Sequence, residues 1–127
     1  MKYKISEFSK LVNVPVKTLR YYDEIGLFKP EEVDIFSNYR YYLDTQVKDI
    51  LLIKELKEAG FLLSEIKQNW NNWNDFILLK QKEKIYLERQ ELNKKIKKID
   101  ELRTRIKDGI IYDEEQKIVL RKERRKL

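Results

Sequence analysis

The sequence predicts a mainly α fold in which a small domain of short helices and a β-hairpin precedes one long coiled-coil helix. Glycine and proline are scarce, at 3 and 2 among 127 residues, which disfavours a β-sandwich or barrel. Apolar residues recur at spacings of three and four along most of the chain. The stretch from 76 to 107 contains neither glycine nor proline. A chain of this length holds one domain, or a small domain with an extension.

The first segment predicts two short helices joined by a tight turn. After an extended stretch over 3–5, Ser6 is a candidate N-cap for a first helix of about seven residues. Pro15 suits the first turn of a second helix over 16–25, because its missing N–H costs nothing there. Gly26, which readily adopts a positive φ, ends that helix. This arrangement is a helix-turn-helix.

The next segment predicts a β-hairpin, or wing. Two β-rich stretches, 33–36 and 39–42, flank a polar turn at 37–38. Successive strand residues alternate between faces. One set can pack on the third helix, and the other, which is expected to include Arg40, can lie along a sugar-phosphate backbone. The alternative is a structural hairpin whose aromatic residues all belong to the core.

Two more short helices are expected before the long one. Asp44 is expected to cap a third helix that Gly60 ends. A fourth lies between 61 and 73. Three aromatic residues then follow at a spacing of three, and a packed hinge between helices is favoured over an aromatic ligand site. They are Trp70, Trp73 and Phe76.

The long helix predicts a homodimer. A helix over 76–107 would be roughly 48 Å long, and it buries nothing unless a partner helix covers it. Arg89 and Arg103 interrupt its apolar seam. The alternative is that the helix packs back on residues 44–75. The predicted dimerisation residues, hereafter the seam, are Ile85, Leu92, Ile96, Ile99, Leu102 and Ile106.

Composition limits the function. The chain has no cysteine and no histidine, which excludes thiol chemistry, Cys/His zinc sites and imidazole catalysis. The acidic run 113–115 is expected to be exposed and not catalytic. We therefore expect no enzyme, no metal and no cofactor. No apolar run approaches the ~18–20 residues that span a bilayer, so a soluble cytoplasmic protein is expected.

Charge alone does not establish a nucleic-acid partner. Lys and Arg number 28 against 22 Asp and Glu, a net charge of +6. Residues 117–127 carry +5 of that excess. Such a tail can bind nucleic acid by counterion release, although a merely solvated end is the more common case.

The second helix carries the first candidate DNA contacts. A helix fits the major groove, and its early residues reach base edges. Arg and Tyr suit phosphate oxygens, and Arg also binds guanine. Because adjacent helical residues cannot both face one way, one of the two tyrosines is expected to pack against the first helix. The candidates are Lys17, Thr18, Arg20, Tyr21 and Tyr22.

Together these segments resemble the MerR family of transcriptional regulators. The resemblance is carried by VKTLRYYDEIGLFKP at 16–30, by NYRYY at 38–42 and by Gln46 in the next helix. The opening YKISEFSKL at 3–11 resembles that family's first strand and helix, and EAGFLLSEI at 58–66 its junction between the third and fourth helices.

The resemblance divides the chain into three parts. Residues 1–75 would form a winged helix-turn-helix DNA-binding domain, residues 76–108 an antiparallel coiled-coil dimerisation helix, and residues 109–127 a basic tail or the remnant of an effector domain. By position, the second-helix candidates fall in the helix that enters the groove, with Tyr22 among its backbone contacts. The residues that fall in the DNA-clamping wing are Tyr39, Arg40 and Tyr41.

The resemblance also implies a mechanism. A homodimer would bind double-stranded DNA at a pseudo-palindromic promoter element that lies in an overlong spacer between the −35 and −10 elements. Bending and untwisting that DNA would realign the two elements for RNA polymerase, at a cost of a few kcal/mol. The competing hypothesis is a coiled-coil adaptor whose N-terminal domain binds protein.

Three departures from the family pattern matter. Asn38 stands where glycine is usual, and Asn tolerates the left-handed region. A polar cap is usual at Leu62, so the fourth helix is expected to start later, at Ser64. The cysteines of metal- and redox-sensing members are missing. The other branch resembles multidrug sensors, whose effector domain would begin near 108–109, and we expect DNA binding that needs no small-molecule inducer.

Overall fold

The structure, a computed structural model, describes residues 1–109 and confirms a mainly α fold with one small sheet. The basic tail, or effector-domain remnant, expected after residue 109 lies outside the described residues. The chain divides into two compact units, with the boundary between Ile77 and Leu78. In chain order the elements are β1 (Lys2–Lys4), α1 (Ile5–Val12), α2 (Val16–Glu24), β2 (Glu32–Val33), β3 (Arg40–Leu43), a 3-10 turn (Asp44–Gln46), α3 (Val47–Glu58), α4 (Leu63–Gln68) and α5 (Asp75–Lys107).

The sheet joins the N-terminus to the predicted wing. Its strand order is β1-β3-β2, and both pairings are antiparallel. Tyr3 lies opposite Tyr42, so β1 covers the inner edge of the hairpin. The hairpin is therefore confirmed, although β2 is only two residues long. Asn38 has a φ of +61°, which agrees with the expected left-handed turn residue.

Three stacked aromatic rings form the centre of the first unit. The ring centroids of Phe8 and Tyr42 are 4.5 Å apart, and those of Phe28 and Tyr42 are 5.7 Å apart. The planes of these pairs differ by 10° and 12°. Burying such rings contributes much of a small core's stability. The other buried apolar residues are Val12, Val14, Leu19, Tyr22, Ile50, Ile53, Leu56, Phe61 and Ile66.

Helix starts differ from the expected caps. Ser6 is not an N-cap, because α1 already begins at Ile5, where the Glu7 carboxylate accepts a hydrogen bond from the Lys4 N–H at 2.9 Å. The same arrangement recurs where Glu65 accepts from the Leu62 N–H at 2.9 Å. The fourth helix therefore begins at Leu63, and the expected start at Ser64 is wrong. A glutamate three residues into a helix satisfies an orphan N–H without a polar cap residue.

Asp44 also does not cap the third helix. Its carboxylate accepts a hydrogen bond from the Tyr3 hydroxyl at 2.6 Å and lies 3.0 Å from the N-terminal ammonium. These contacts hold the pKa of Asp44 below its usual range, chiefly through the Tyr3 hydrogen bond. Asp44 thus ties down the chain's N-terminus, a long-range role that capping patterns do not predict.

Two lysines bind backbone carbonyls at the C-terminal ends of α1 and α2. The ammonium of Lys54 donates to the carbonyls of Val12 and Asn13 at 3.1 and 3.3 Å, at the end of α1. The ammonium of Lys67 donates to the Ile25 carbonyl at 2.8 Å, just after α2. Cations are favoured at helix C-termini, where carbonyls lack intrahelical partners.

The aromatic stripe at residues 70, 73 and 76 runs into the first turn of α5. Trp73 meets Phe61 edge-on, with centroids 5.0 Å apart, and Trp70 packs against the same core. Phe76 is 65% exposed. The two tryptophans therefore pack as expected.

The expected long helix is present as α5, which has 33 residues. All six seam residues are exposed in the single chain, between 37% and 57%. Among the helices of residues 1–109, none is long and apolar enough to cross a membrane.

Candidate nucleic-acid interface

The second helix of the helix-turn-helix presents a polar and basic face. Lys17 and Arg20 are exposed, Tyr21 is 49% exposed and Thr18 is half-buried. On the opposite side, Leu19 is completely buried against the core. This division follows from helical periodicity, because residues three and four apart share a face. The structure therefore places the predicted contacts Lys17, Arg20 and Tyr21 together at the surface.

Tyr22 is a correction to the predicted site. It is only 4% exposed and belongs to the hydrophobic core. Its ring lies 6.5 Å from that of Tyr21, which points outward. The expectation that one of the two tyrosines packs inward is confirmed, and the buried one is Tyr22. Its ring therefore belongs to the core and not to the exposed face of α2, whereas its position in the family pattern had implied a contact with the DNA backbone.

Arg40 lies on the opposite face of the wing from the one expected. It shares the inner face of β3 with the fully buried Tyr42, because residues two apart in a strand point the same way. The Arg40 Nε donates to the Asp23 carboxylate at 2.8 Å. The Lys29 ammonium lies 3.8 Å from the other oxygen of that carboxylate. These contacts join α2 directly to the wing.

The outer face of the sheet carries an arrangement that was not predicted. The Lys2 ammonium lies 4.6 Å from the centre of the Tyr41 ring, and the Lys4 ammonium lies 4.8 Å from that of Tyr39. Cations over aromatic faces are attracted by the ring quadrupole. The signal in the sequence was the alternation of Lys2, Tyr3 and Lys4, which places both lysines on one side of a strand.

The tip of the wing is apolar and held in a defined turn. Ile35 and Phe36 are 86% and 95% exposed. The Asp34 carboxylate accepts hydrogen bonds from the Phe36 and Ser37 N–H groups at 2.9 and 3.4 Å. These backbone hydrogen bonds, that of Phe36 most strongly, hold the pKa of Asp34 below its usual range.

Gln46 fixes the base of the wing. It is 5% exposed, and its amide oxygen accepts hydrogen bonds from the N–H groups of Leu43 at 3.0 Å and Glu31 at 3.3 Å. Its amide nitrogen donates to the Lys29 carbonyl at 2.6 Å. One buried side chain therefore connects β3 to the segment that leads from α2 to β2.

Comparison with known proteins agrees with this architecture. The family model described as MerR HTH family regulatory protein matches residues 3–72. The Multidrug-efflux transporter 1 regulator of Bacillus subtilis is 54% identical over 66 residues, which are 52% of this chain and 24% of that protein. The chain thus spans about a quarter of that curated relative's length.

Solved structures extend the likeness into α5. The N-terminus of Mta, the Bacillus subtilis multidrug transporter activator, aligns with a TM-score of 0.72 and 30% identity over 78% of this chain and 95% of that one. EcmrR, solved with DNA in its EcmrR-RPo complex, aligns with a TM-score of 0.73 and 27% identity over 84% of this chain and 40% of that one. From its helix-turn-helix, its wing and the matched family model, the chain belongs to the MerR HTH family of regulatory proteins.

Proposed function

We propose that this chain is a DNA-binding transcriptional regulator that acts as a homodimer on a pseudo-palindromic promoter element. The observation that carries the proposal is the surface of α2, where Lys17, Arg20 and Tyr21 are exposed side by side. The link from Asp23 to Arg40 joins that helix to the wing. The proposed contacts are Lys17, Thr18, Arg20, Tyr21, Tyr39, Arg40 and Tyr41.

The proposed mode of action is deformation of the promoter. The dimer would activate by bending and untwisting an overlong spacer between the −35 and −10 elements, in the presence of RNA polymerase and with no catalytic step of its own. The solved complex of EcmrR with DNA supports this class of function. The energy of deformation must come from extra protein–DNA contacts, since smooth bending of a site this short costs a few kcal/mol.

The exposed seam of α5 supports the homodimer. Six apolar side chains at 37–57% exposure are unfavourable on a monomer in water, and a partner helix would cover them. The alternative function, a coiled-coil adaptor whose first unit binds protein, shares this feature. The two hypotheses differ only in whether the first unit binds DNA.

Selection from a random pool of DNA duplexes separates the two hypotheses. We expect the full chain to enrich one pseudo-palindromic sequence, with half-sites related by two-fold symmetry. The selected duplex should then give a footprint and, placed in an overlong spacer, activate transcription in vitro. A dimeric chain that enriches no duplex, even at about 50 mM salt where phosphate contacts are strong, would reject the proposal and favour the adaptor.

Substitutions then test the contacts. Arg20→Ala is expected to cost about 1–3 kcal/mol of binding energy on the selected duplex. Lys57→Ala, which removes an exposed charge at the end of α3, is the matched control and should bind as the parent does. Ile96→Lys should dissociate the dimer, as measured by sedimentation. Unchanged affinity in Arg20→Ala would show that α2 does not enter the groove.

A further inference from the structure

We propose that Asp23 is a positioning residue that presents Arg40, together with Lys29, to a backbone phosphate in a cleft between α2 and the wing. The inference rests on the proposed function and deepens it, because it assigns one phosphate-binding site and the residue that organises it. The residues that line this cleft are Arg20, Asp23, Glu24, Lys29 and Arg40.

The cleft is built around one shielded carboxylate. The Asp23 side chain is 18% exposed, whereas those of Arg40 and Lys29 are 37% and 65% exposed. One Asp23 oxygen accepts from the Arg40 Nε at 2.8 Å, and the other lies 3.8 Å from the Lys29 ammonium. The anion is therefore set behind two cations that remain open to solvent.

The contact with Asp23 uses only one of the N–H donors of the Arg40 guanidinium. Arg has five N–H donors in a rigid planar fork, and Asp23 is bonded to the one on Nε. The terminal nitrogens keep four N–H groups, a set that matches two oxygens of a phosphate. A side chain already held in position loses less conformational entropy when it binds. Three cations against two carboxylates leave the cleft with a positive excess.

A rival interpretation makes the opposite prediction. If Asp23 only neutralises Arg40, its charge repels phosphate, and removing that charge would strengthen DNA binding. If Asp23 positions Arg40, removing the carboxylate frees the guanidinium and weakens DNA binding. Asp23→Asn therefore distinguishes the two by the sign of the change. Glu24→Gln is the charge-matched control, because Glu24 lines the same cleft but is not the carboxylate that holds Arg40.

The experiment measures the affinity of the full chain for two fluorescein-labelled duplexes, the selected one and one of random sequence. Asp23→Asn is expected to bind both about tenfold more weakly than the parent, because a phosphate contact is independent of sequence. Glu24→Gln should bind as tightly as the parent or tighter. In a dimer that loses one contact per copy, the slope of log K against log salt should fall by about 1.8.

A double-mutant cycle shows whether Asp23 acts through Arg40. With Arg40→Ala already present, Asp23→Asn should cause no further weakening, since there is no guanidinium left to position. Arg40→Lys keeps the charge but loses the fork, and should weaken binding as Asp23→Asn does. This variant leaves Asp23 in place, so it carries the test if Asp23→Asn lowers the melting temperature.

The outcomes distinguish the positioning role of Asp23 from DNA binding by the chain as a whole. Parent-like or tighter binding by either Asp23→Asn or Arg40→Lys would overturn the positioning role while leaving the proposed function standing. Equal weakening by Asp23→Asn with and without Arg40→Ala would also overturn it. Failure of the parent chain to bind either duplex would overturn the proposed function, and this inference with it.

Discussion

Replacing Gln46 by leucine tests whether the wing depends on one buried amide. The substitution introduces an apolar side chain of similar size and removes hydrogen bonds of 2.6 and 3.0 Å, and a longer one of 3.3 Å. A neutral hydrogen bond contributes about 0.5–1.5 kcal/mol net, and buried groups left without partners cost more. We therefore expect Gln46→Leu to lower the free energy of unfolding by about 2–3 kcal/mol.

Urea titration followed by circular dichroism, at one fixed protein concentration, measures this loss. For a domain of this size it corresponds to a fall in Tm of roughly 10–20 °C. Gln68→Leu, at the exposed end of α4, is the control and should stay within about 0.5 kcal/mol of the parent. A loss of under about 0.5 kcal/mol in Gln46→Leu would refute the reasoning, because the three contacts would then contribute no more than water does.

A second variant tests the direction of the bond to Lys29. Gln46→Glu retains an acceptor for the two N–H groups, but at neutral pH it cannot donate to the Lys29 carbonyl. We expect it to be at least as destabilising as Gln46→Leu at pH 7. Its deficit relative to the parent should shrink as the pH falls, because a protonated carboxyl can donate again. A deficit independent of pH would contradict the assigned donor.

Three further predictions concern other side chains. Tyr42→Phe should keep or raise stability, because the buried hydroxyl has no hydrogen-bond partner within residues 1–109. Burial raises the pKa of Tyr42 to about 12. The stability linked to its raised pKa is therefore complete below the ordinary tyrosine pKa of 10.0 and is lost as the pH rises towards 12. Urea titrations should show a smaller loss of stability at alkaline pH in the variant than in the parent. Because the pKa of Asp44 is lowered in the folded protein, this carboxylate stabilises the fold above its ordinary pKa of 3.8. That stabilisation is lost as the pH falls through the pKa of the folded state. Tyr3→Phe should move that pKa upward in carboxyl-carbon NMR, and an unmoved value would contradict the assigned cause. Lys54→Met should cost about 0.5–1.5 kcal/mol by urea titration, since its ammonium binds the last carbonyls of α1, whereas Lys48→Met should be neutral.

Local periodicity was sufficient to predict the helices from the sequence. The absence of glycine and proline over 76–107 predicted α5 to within a residue at its start. Within α2, helical spacing predicted that one of the two adjacent tyrosines packs inward, and Tyr22 does so. Such features depend only on neighbours three and four residues away, and therefore can be seen in the chain itself.

The faces of the wing could not be predicted in the same way. Alternation in β3 defined two sets of side chains, but which set faces inward depends on the pairing of Tyr3 with Tyr42, residues that lie far apart in the chain. Arg40 consequently lies on the face opposite to the one expected. The carboxylate that holds it, Asp23, is 17 residues away. Polar partners at such separations leave no periodic signal, so the cleft became visible only in three dimensions.

The three stacked rings of Phe8, Phe28 and Tyr42 bear on how this scaffold could diversify. They come from α1, from the segment after α2 and from β3, so the interior is held without any side chain from the exposed side of α2. Exposed positions such as Lys17 and Arg20 therefore do not contribute to the hydrophobic core. Under the proposed function, exchanging them would change the DNA sequence that is bound while the framework beneath remained the same.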